Sequence, residues 1–472
     1  MQRRLRAAMT LALIGLPATL SAAPAHAASR TPWAVGRTPG AATRVAEAAV
    51  RAPGAATRTA EATARTPWAA ARTAEAAART PGVADVDGDG YGDLAIGAPG
   101  AAGGGRVAVV YGSRGGANVK RHQVLAPLKA GGAFGTAVAT ADFDGDGHAD
   151  LAVGAPGHGT IEIFTGSRSG LTRHAVLTPG DGAGRALAVG DVDHDGHPDL
   201  LAATKSALLV IGFATGDAKV VATIKGRTAA HVALAAGDVN GDGYADAAWN
   251  ADGRLRLLHG SKTGLRAVSG TASVGSTGGL AIADVNGDHH GDVVAGDPAG
   301  SHGGLVKIYP GGDLGHPRTF SQDSSGVPGT GEKGDEFGAA VAARDVDGDG
   351  RSEVVVGAPG EDIGKRRNAG AVTVLRGNAH WKLGSGSSAF SQNTEGVPGV
   401  AETGDRYGGA LSLADLDGDT RLDLAVGTPG ENGGDGGVSI YPGQGIAGMI
   451  VFGGKSAGVS AAKAAFGASV AG

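Results

Sequence analysis

Cysteine is absent from all 472 residues. Disulfides, thiolate metal sites, iron–sulfur clusters, cysteine nucleophiles and lipid anchors on cysteine are thereby excluded. Aromatic residues make up only 4% of the chain, too few for a core built on large rings. Past residue 20 no apolar run is long enough to cross a bilayer, so membrane insertion is not expected. Basic runs with interleaved aromatics are also missing, apart from a tail that holds Trp33 and Trp68, and nucleic acid is not an expected partner. What the chain has in quantity is glycine, 87 residues, set among short apolar runs. A hydrophobic fraction of 42% is too high for a wholly disordered chain, and many tight turns between short runs point to an all-β fold.

The N-terminus indicates the compartment. Arg3, Arg4 and Arg6 precede an apolar run from Ala7 to about Leu20, and Ala25-His26-Ala27 supplies a small-x-small cleavage pattern. Residues 1–27 are read as a secretory signal peptide, and the protein as secreted and extracellular. Residues 28–80 differ in composition. Arginine recurs every seven residues from Arg30 to Arg79, among Ala and Thr rather than a Leu or Ile seam. Pro32, Pro39, Pro53 and Pro67 would break any continuous helix, and eight Arg against Glu47, Glu61 and Glu75 leave +5. The segment is expected to be a disordered basic tail, either a plain linker or a contact for anionic wall polymers.

From residue 81 one acidic nonapeptide organises the chain. It begins at Asp85, Asp142, Asp191, Asp238, Asp284, Asp345 and Asp415, at intervals of 46 to 70 residues, as a repeat architecture does. Side-chain oxygens at positions 1, 3, 5 and 9 and a backbone carbonyl at position 7 suit a hard cation that takes six to eight oxygen ligands. Glycine at position 6 permits the left-handed turn that folds these groups inward. The candidate calcium ligands are therefore Asp85, Asp87, Asp89, Tyr91 and Asp93 in loop 1, and Asp142, Asp144, Asp146, His148 and Asp150 in loop 2. Loop 3 offers Asp191, Asp193, Asp195, His197 and Asp199, and loop 4 offers Asp238, Asn240, Asp242, Tyr244 and Asp246. Loop 5 offers Asp284, Asn286, Asp288, His290 and Asp292. Loop 6 offers Asp345, Asp347, Asp349, Arg351 and Glu353, and loop 7 offers Asp415, Asp417, Asp419, Arg421 and Asp423. The residue at position 7 contributes only its carbonyl.

These loops hold 26 of the 46 acidic residues, a local repulsion that seven divalent ions would relieve, turning the formal charge from −5 to +9. Up to seven Ca2+ sites are expected. Loops 5 and 7, with His289 and Thr420 where the others have glycine, are expected to be the weakest. An EF-hand is excluded, because position 12 is apolar (Ile96, Val153) and strand-like runs ending in Gly-Ala-Pro follow.

Phe134-Gly135, Phe337-Gly338 and Tyr407-Gly408 stand eight residues before loops 2, 6 and 7, and Gly-Ala-Pro-Gly begins at Gly97, Gly154 and Gly357 after loops 1, 2 and 6. This order resembles the FG-GAP repeat of the integrin α-subunit N-terminal β-propeller, over about residues 81–472. Repeats 3, 4 and 5 have lost Phe-Gly. The resemblance implies a seven-bladed β-propeller of four-stranded antiparallel blades, with calcium in a mainly structural role. Repeat 1 lacks a Phe-Gly strand, and Phe466-Gly467 stands at the other end of the chain, so the C-terminal strand is expected to complete blade 1 and close the ring.

The expected function is an extracellular binding or adhesion module, monomeric, with a protein or glycan ligand. Its candidate contact surfaces are two similar inserts, 320–338 and 390–408, which are alternatively longer blade connections. The other reading is a secreted hydrolase or lyase acting on phosphodiesters or polysaccharides at the propeller channel. Gly454-Lys455-Ser456-Ala457-Gly458 matches a nucleophile elbow, but no α/β-hydrolase pattern surrounds it, and no catalytic residue is assigned.

Overall fold

The computed structural model describes residues 84–472, other than 214–215, 229–230, 252, 269, 274–277, 444 and 461. The segments read as signal peptide and basic tail lie outside the described residues.

Each blade is organised by its second strand, which is largely apolar. Leu94–Ala98, Asp150–Ala155, Asp199–Ala203, Asp246–Ala251, Asp292–Asp297, Glu353–Ala358 and Asp423–Thr428 are buried at every position. A strand buried on both sides must sit mid-sheet with another sheet on each face. The sheets meet this demand: all pairings are antiparallel, and seven sheets form. In blade 2 the order is Val138–Ala141, Asp150–Ala155, Thr160–Thr165, Thr172–Leu177, in sequence from the inside out. Blade 4 departs from this plan in its outer strand, which is split into Arg266–Ala267 and Ala272–Ser273, both paired to Arg254–His259.

The seven innermost strands touch one another in a closed cycle, and seven apolar clusters fill the seven gaps between blades. The cycle closes as expected. Ser469–Ala471 is the inner strand of blade 1, with Ala95 opposite Ala471 and Gly97 opposite Ser469. Phe466 is fully buried in the cluster that joins blades 7 and 1.

The recurring dipeptides have a mechanical basis. Phe134, Phe337, Tyr407 and Phe466 are fully buried, and each bridges a glycine of the preceding blade: Gly105, Gly304, Gly370 and Gly436. A Cβ on Gly97 would stand 2.1 Å from the Gly135 carbonyl of the next blade, so only glycine allows this backbone approach. The same approach joins Gly154 to Gly184, which places Ala183-Gly184 where repeat 3 has lost Phe-Gly.

Candidate metal centres

Loops 2 to 7 connect an inner strand to the second strand of their blade, loop 1 leads into the second strand Leu94–Ala98, and all seven adopt one fold. The side chain at position 1 accepts the position-6 backbone N–H at 2.7–3.0 Å in each. The position-5 carboxylate accepts the position-7 N–H at 2.8–3.2 Å in each. The position-9 acid accepts the position-2 N–H at 2.8–3.2 Å. Loops 5 and 7 conform as well: His289 and Thr420 take positive φ, 67° and 71°, as Gly147 does at 90°.

These bonds bend the chain so that carboxylate oxygens converge. Asp85, Asp87 and Asp93 bring one oxygen each within 4.8 Å of one another, as do Asp142, Asp144 and Asp146. Asp191, Asp193 and Asp199, then Asp345, Asp347 and Glu353, and then Asp415, Asp417 and Asp423 do the same. Loops 4 and 5 form no such triplet, because position 3 is an amide. Asn240 Nδ2 donates to Asp242 Oδ2 at 2.9 Å, and Asn286 Nδ2 to Asp288 Oδ2 at 3.0 Å.

The donor set fits a hard cation. All converging side-chain atoms are oxygens, and Asp87 Oδ1 and Asp193 Oδ1 are buried without a hydrogen-bond partner. An orphaned buried carboxylate oxygen is costly unless a cation or donor meets it. The position-9 acids have the same need. Burial pushes Asp93, Asp150, Asp199 and Glu353 up to about 7, and Asp292 and Asp423 to about 6. Asp246 is raised for the same reason. Backbone donors pull several of these down, Gly112 and Val86 at Asp93 for example, but do not offset the burial.

Position 7 does more than the spacing suggests. Except between loops 6 and 7, where nothing lies within 4 Å of a Cβ on Gly348, its side chain lies over position 4 of the preceding loop. A Cβ on Gly88 would stand 2.6 Å from the His148 ring, on Gly241 3.0 Å from His290, and on Gly287 3.0 Å from Arg351. Tyr91 lies against Gly418 in the same way, which carries the contact from loop 7 to loop 1. At loop 3 position 4 is His194, whose ring packs 5.5 Å from Tyr244. His197, over Gly145, and His148 each keep a buried Nδ1 without a partner. No signal within one repeat shows these contacts; they belong to pairs of repeats.

The inserts 320–338 and 390–408 are blade connections. They run from the outer strands Arg318–Phe320 and Ser388–Phe390 to the next inner strands. Gln322 Nε2 donates to Glu361 Oε2 and Gln392 Nε2 to Glu431 Oε2, both at 2.6 Å, which ties each insert to the following blade. The elbow-like Gly454–Ala457 is a single 3-10 turn after the outer strand Ile450–Gly453, not a strand-to-helix turn. Among the described residues no helix is long and apolar enough to cross a membrane.

Comparison with known proteins agrees with this geometry. The FG-GAP repeat family matches residues 337–375 and 407–441, and the FG-GAP-like repeat family matches 85–153, 142–202 and 238–295. Phosphatidylinositol-glycan-specific phospholipase D of Rattus norvegicus is 34% identical over 163 residues, 33% of this chain and 18% of that protein. Integrin alpha-M of Mus musculus is 31% identical over 168 residues, 33% of this chain and 13% of its own length. Integrin alpha-4 of Xenopus laevis is 31% identical over 157 residues, 32% of this chain and 14% of its own. The matched stretch thus spans less than a fifth of each of these relatives. With the repeats matched in both halves of a seven-bladed ring, the chain belongs to the FG-GAP repeat proteins and is homologous to the integrin α subunits.

Proposed function

We propose that the protein is a secreted, calcium-stabilised recognition module. In this reading residues 1–27 direct export, 28–80 form an extended basic tail, and 81–472 are a monomeric propeller that presents a surface to an extracellular protein or glycan. Calcium is held by the residues at positions 1, 3, 5, 7 and 9 of the seven loops, least firmly in loops 5 and 7, where a non-glycine residue holds the left-handed turn. The ion's role is to neutralise carboxylates that the fold forces together. The observation that carries this reading is the pair of orphaned buried oxygens, Asp87 Oδ1 and Asp193 Oδ1, inside converging carboxylate triplets on a rigid ring. The test is capture of whole cells and a glycan panel by the purified protein, in calcium and in chelator. Calcium-dependent capture by a defined component is expected. Absence of capture in calcium, with the fold intact by melting, removes the recognition role.

The hydrolase reading has one specific support, the likeness to Phosphatidylinositol-glycan-specific phospholipase D. The strands around the axis give it little chemistry. Val138–Ala141, Leu187–Gly190, Leu234–Gly237, Leu280–Ala283, Ala340–Arg344, Ala410–Ala414 and Ser469–Ala471 contain no Asp, Glu or His, and Arg344 is their one charged residue. Release of product from phosphodiester or polysaccharide substrates by the purified chain would restore that reading.

A further inference from the structure

Two of the seven loops are treated differently by their surroundings. In loop 1 the guanidinium of Arg121 reaches across from the outer edge of the blade. Its Nη2 pairs with Asp87 Oδ2, and its Nη1 lies 2.9 Å from Asp89 Oδ2. The group is held in place from behind. Its Cζ stacks 4.6 Å above the Tyr111 ring, and the Tyr111 N–H donates to the Arg121 carbonyl at 3.1 Å. The Tyr111 hydroxyl is fixed in turn on Gln123 Oε1 at 3.0 Å. In loop 6 the cation comes from the end of the third strand. Arg376 Nη1 lies 2.9 Å from Asp347 Oδ2 and 3.7 Å from Glu353 Oε1, and its side chain is only 19% exposed.

Both arginines address Oδ2 of the carboxylate at position 3, Asp87 in loop 1 and Asp347 in loop 6. Asp87 and Glu353 have side chains only 2% exposed, so their charges are removed from water and depend on a partner. Among the described residues, no Lys or Arg from outside the loop pairs with the acids of loops 2, 3, 4, 5 or 7. The residue just before the glycine that bonds the position-9 acid shows why loop 6 differs. It is Thr165, His259, Pro310 and Pro442 in blades 2, 4, 5 and 7, but Arg376 in blade 6. In blade 1 it is Tyr111, which serves instead as the platform for Arg121.

We infer that Arg121 and Arg376 are tethered counter-cations that hold loops 1 and 6 closed without calcium and oppose calcium binding there. The inference rests on the calcium reading above and deepens it. Loops 1 and 6 then bind calcium more weakly than loops 2 and 3, which have glycine at position 6 but no arginine. Blades 1 and 6 also keep their order when calcium falls. A guanidinium paired with a position-3 carboxylate offsets its charge and repels a divalent ion placed beside it, so each arginine lowers the apparent affinity of its loop.

The test uses the full chain and three variants, Arg121→Met, Arg376→Met and Arg173→Met. Methionine keeps an apolar stem, which in the Arg121 and Arg173 variants still covers the Tyr111 or Phe164 ring. Arg173 is the control, since it pairs with the buried Glu162 at 2.8 Å and lies 5.0 Å above the Phe164 ring, yet pairs with no acid of the seven loops. Melting temperature is read in chelator and in saturating calcium, and calcium uptake by equilibrium dialysis below saturation. Arg121→Met and Arg376→Met are expected to melt lower in chelator and to regain that loss in calcium. Their uptake should rise, as for one site tightened about 5-fold, the fold-change that one partly buried ion pair supplies. Arg173→Met should lose stability equally in both media, with uptake unchanged. If the two loop variants behave as Arg173→Met does, the inference is overturned while the calcium reading stands. If the unsubstituted chain takes up no calcium, the calcium reading and the inference fall together.

Discussion

Removing calcium should make the stability of this protein depend on pH in the opposite sense from most carboxylate-rich proteins. The position-9 acids Asp93, Asp150, Asp199 and Glu353 are at most 6% exposed, and burial pushes them up to about 7. In the unfolded chain such groups titrate near ~4. An acid whose folded value is raised favours folding when protonated, so stability is lost as pH climbs from ~4 to ~7 and is level above that. A displacement of about 3 units corresponds to about 4 kcal/mol for one group. Four groups of this kind together would match the whole stability of an ordinary domain, about 5–15 kcal/mol. At pH 7.5 the loops therefore need a cation, or must open. The assay is a melting series from pH 5 to 7.5, in chelator and in millimolar calcium. In chelator the melting temperature should fall steeply across this range. In calcium it should hold or rise, because the ion binds the deprotonated form. Parallel profiles in the two media would refute the reasoning, because they would mean that the buried acids are not where the ion acts.

Three other perturbations follow from the packing. Phe466→Ala removes a fully buried ring from the junction of blades 7 and 1 and should cost about 3–5 kcal/mol, read by denaturant unfolding; a cost below 1 kcal/mol would show that this strand does not seal the ring. Asp144→Ala with Asp146→Ala should lower the melting temperature in calcium and leave it nearly unchanged in chelator, and an equal drop in both would remove loop 2 as a calcium site. Loop 2 is the cleaner choice because Arg121 already pairs with Asp87 and Asp89 in loop 1. Gly97→Ala forces a methyl group to 2.1 Å from a backbone oxygen and should prevent stable folding, whereas Gly115→Ala, with only Ser113 Oγ as near as 4.0 Å, should be tolerated; comparable soluble yields of the two would contradict the packing role of Gly97.

What the sequence reveals is whatever a short phrase must contain to fold on itself. The loop is legible because positions 1, 5, 6 and 9 each make a bond within nine residues, so the residue types cannot vary freely. The ring closure is legible for a similar reason: repeat 1 lacks a Phe-Gly strand, and Phe466-Gly467, after loop 7, repeats the Phe134-Gly135 dipeptide. What stays hidden belongs to contacts between repeats. His148 reads as a residue needed only for its carbonyl, yet its ring covers Gly88 in the neighbouring loop. Arg121 reads as an unremarked base 28 residues beyond loop 1, and only the antiparallel return of the outer strand brings it to Asp87. In repeat 3 the Phe-Gly motif seems lost because the aromatic ring is gone, but Ala183-Gly184 keeps the register, and the backbone approach of Gly184 to Gly154 survives. The glycine, not the ring, is what that junction cannot do without.

The loops also bind to one another, and this shapes what calcium does for the whole ring. The N–H at position 8 donates to the position-1 carbonyl of the preceding loop at five junctions: Gly92 to Asp415, Ala149 to Asp85, Ala245 to Asp191, Gly291 to Asp238 and Ser352 to Asp284, all at 2.7–3.0 Å. Between loops 2 and 3 this bond cannot form, because position 8 is Pro198, which has no N–H. There the ring of His197 over Gly145 remains as the link. A residue whose side chain is a candidate ion ligand thus offers its own carbonyl to the next blade. Fixing Asp85 for calcium fixes the acceptor on which Ala149 depends, and Ala149 immediately precedes the buried Asp150 of loop 2. Order imposed on one loop is in this way passed to the edge of its neighbour. With no disulfide and few large rings in the core, loops tied to one another by backbone bonds would, once ion-filled, supply the rigidity that cross-links provide in other folds.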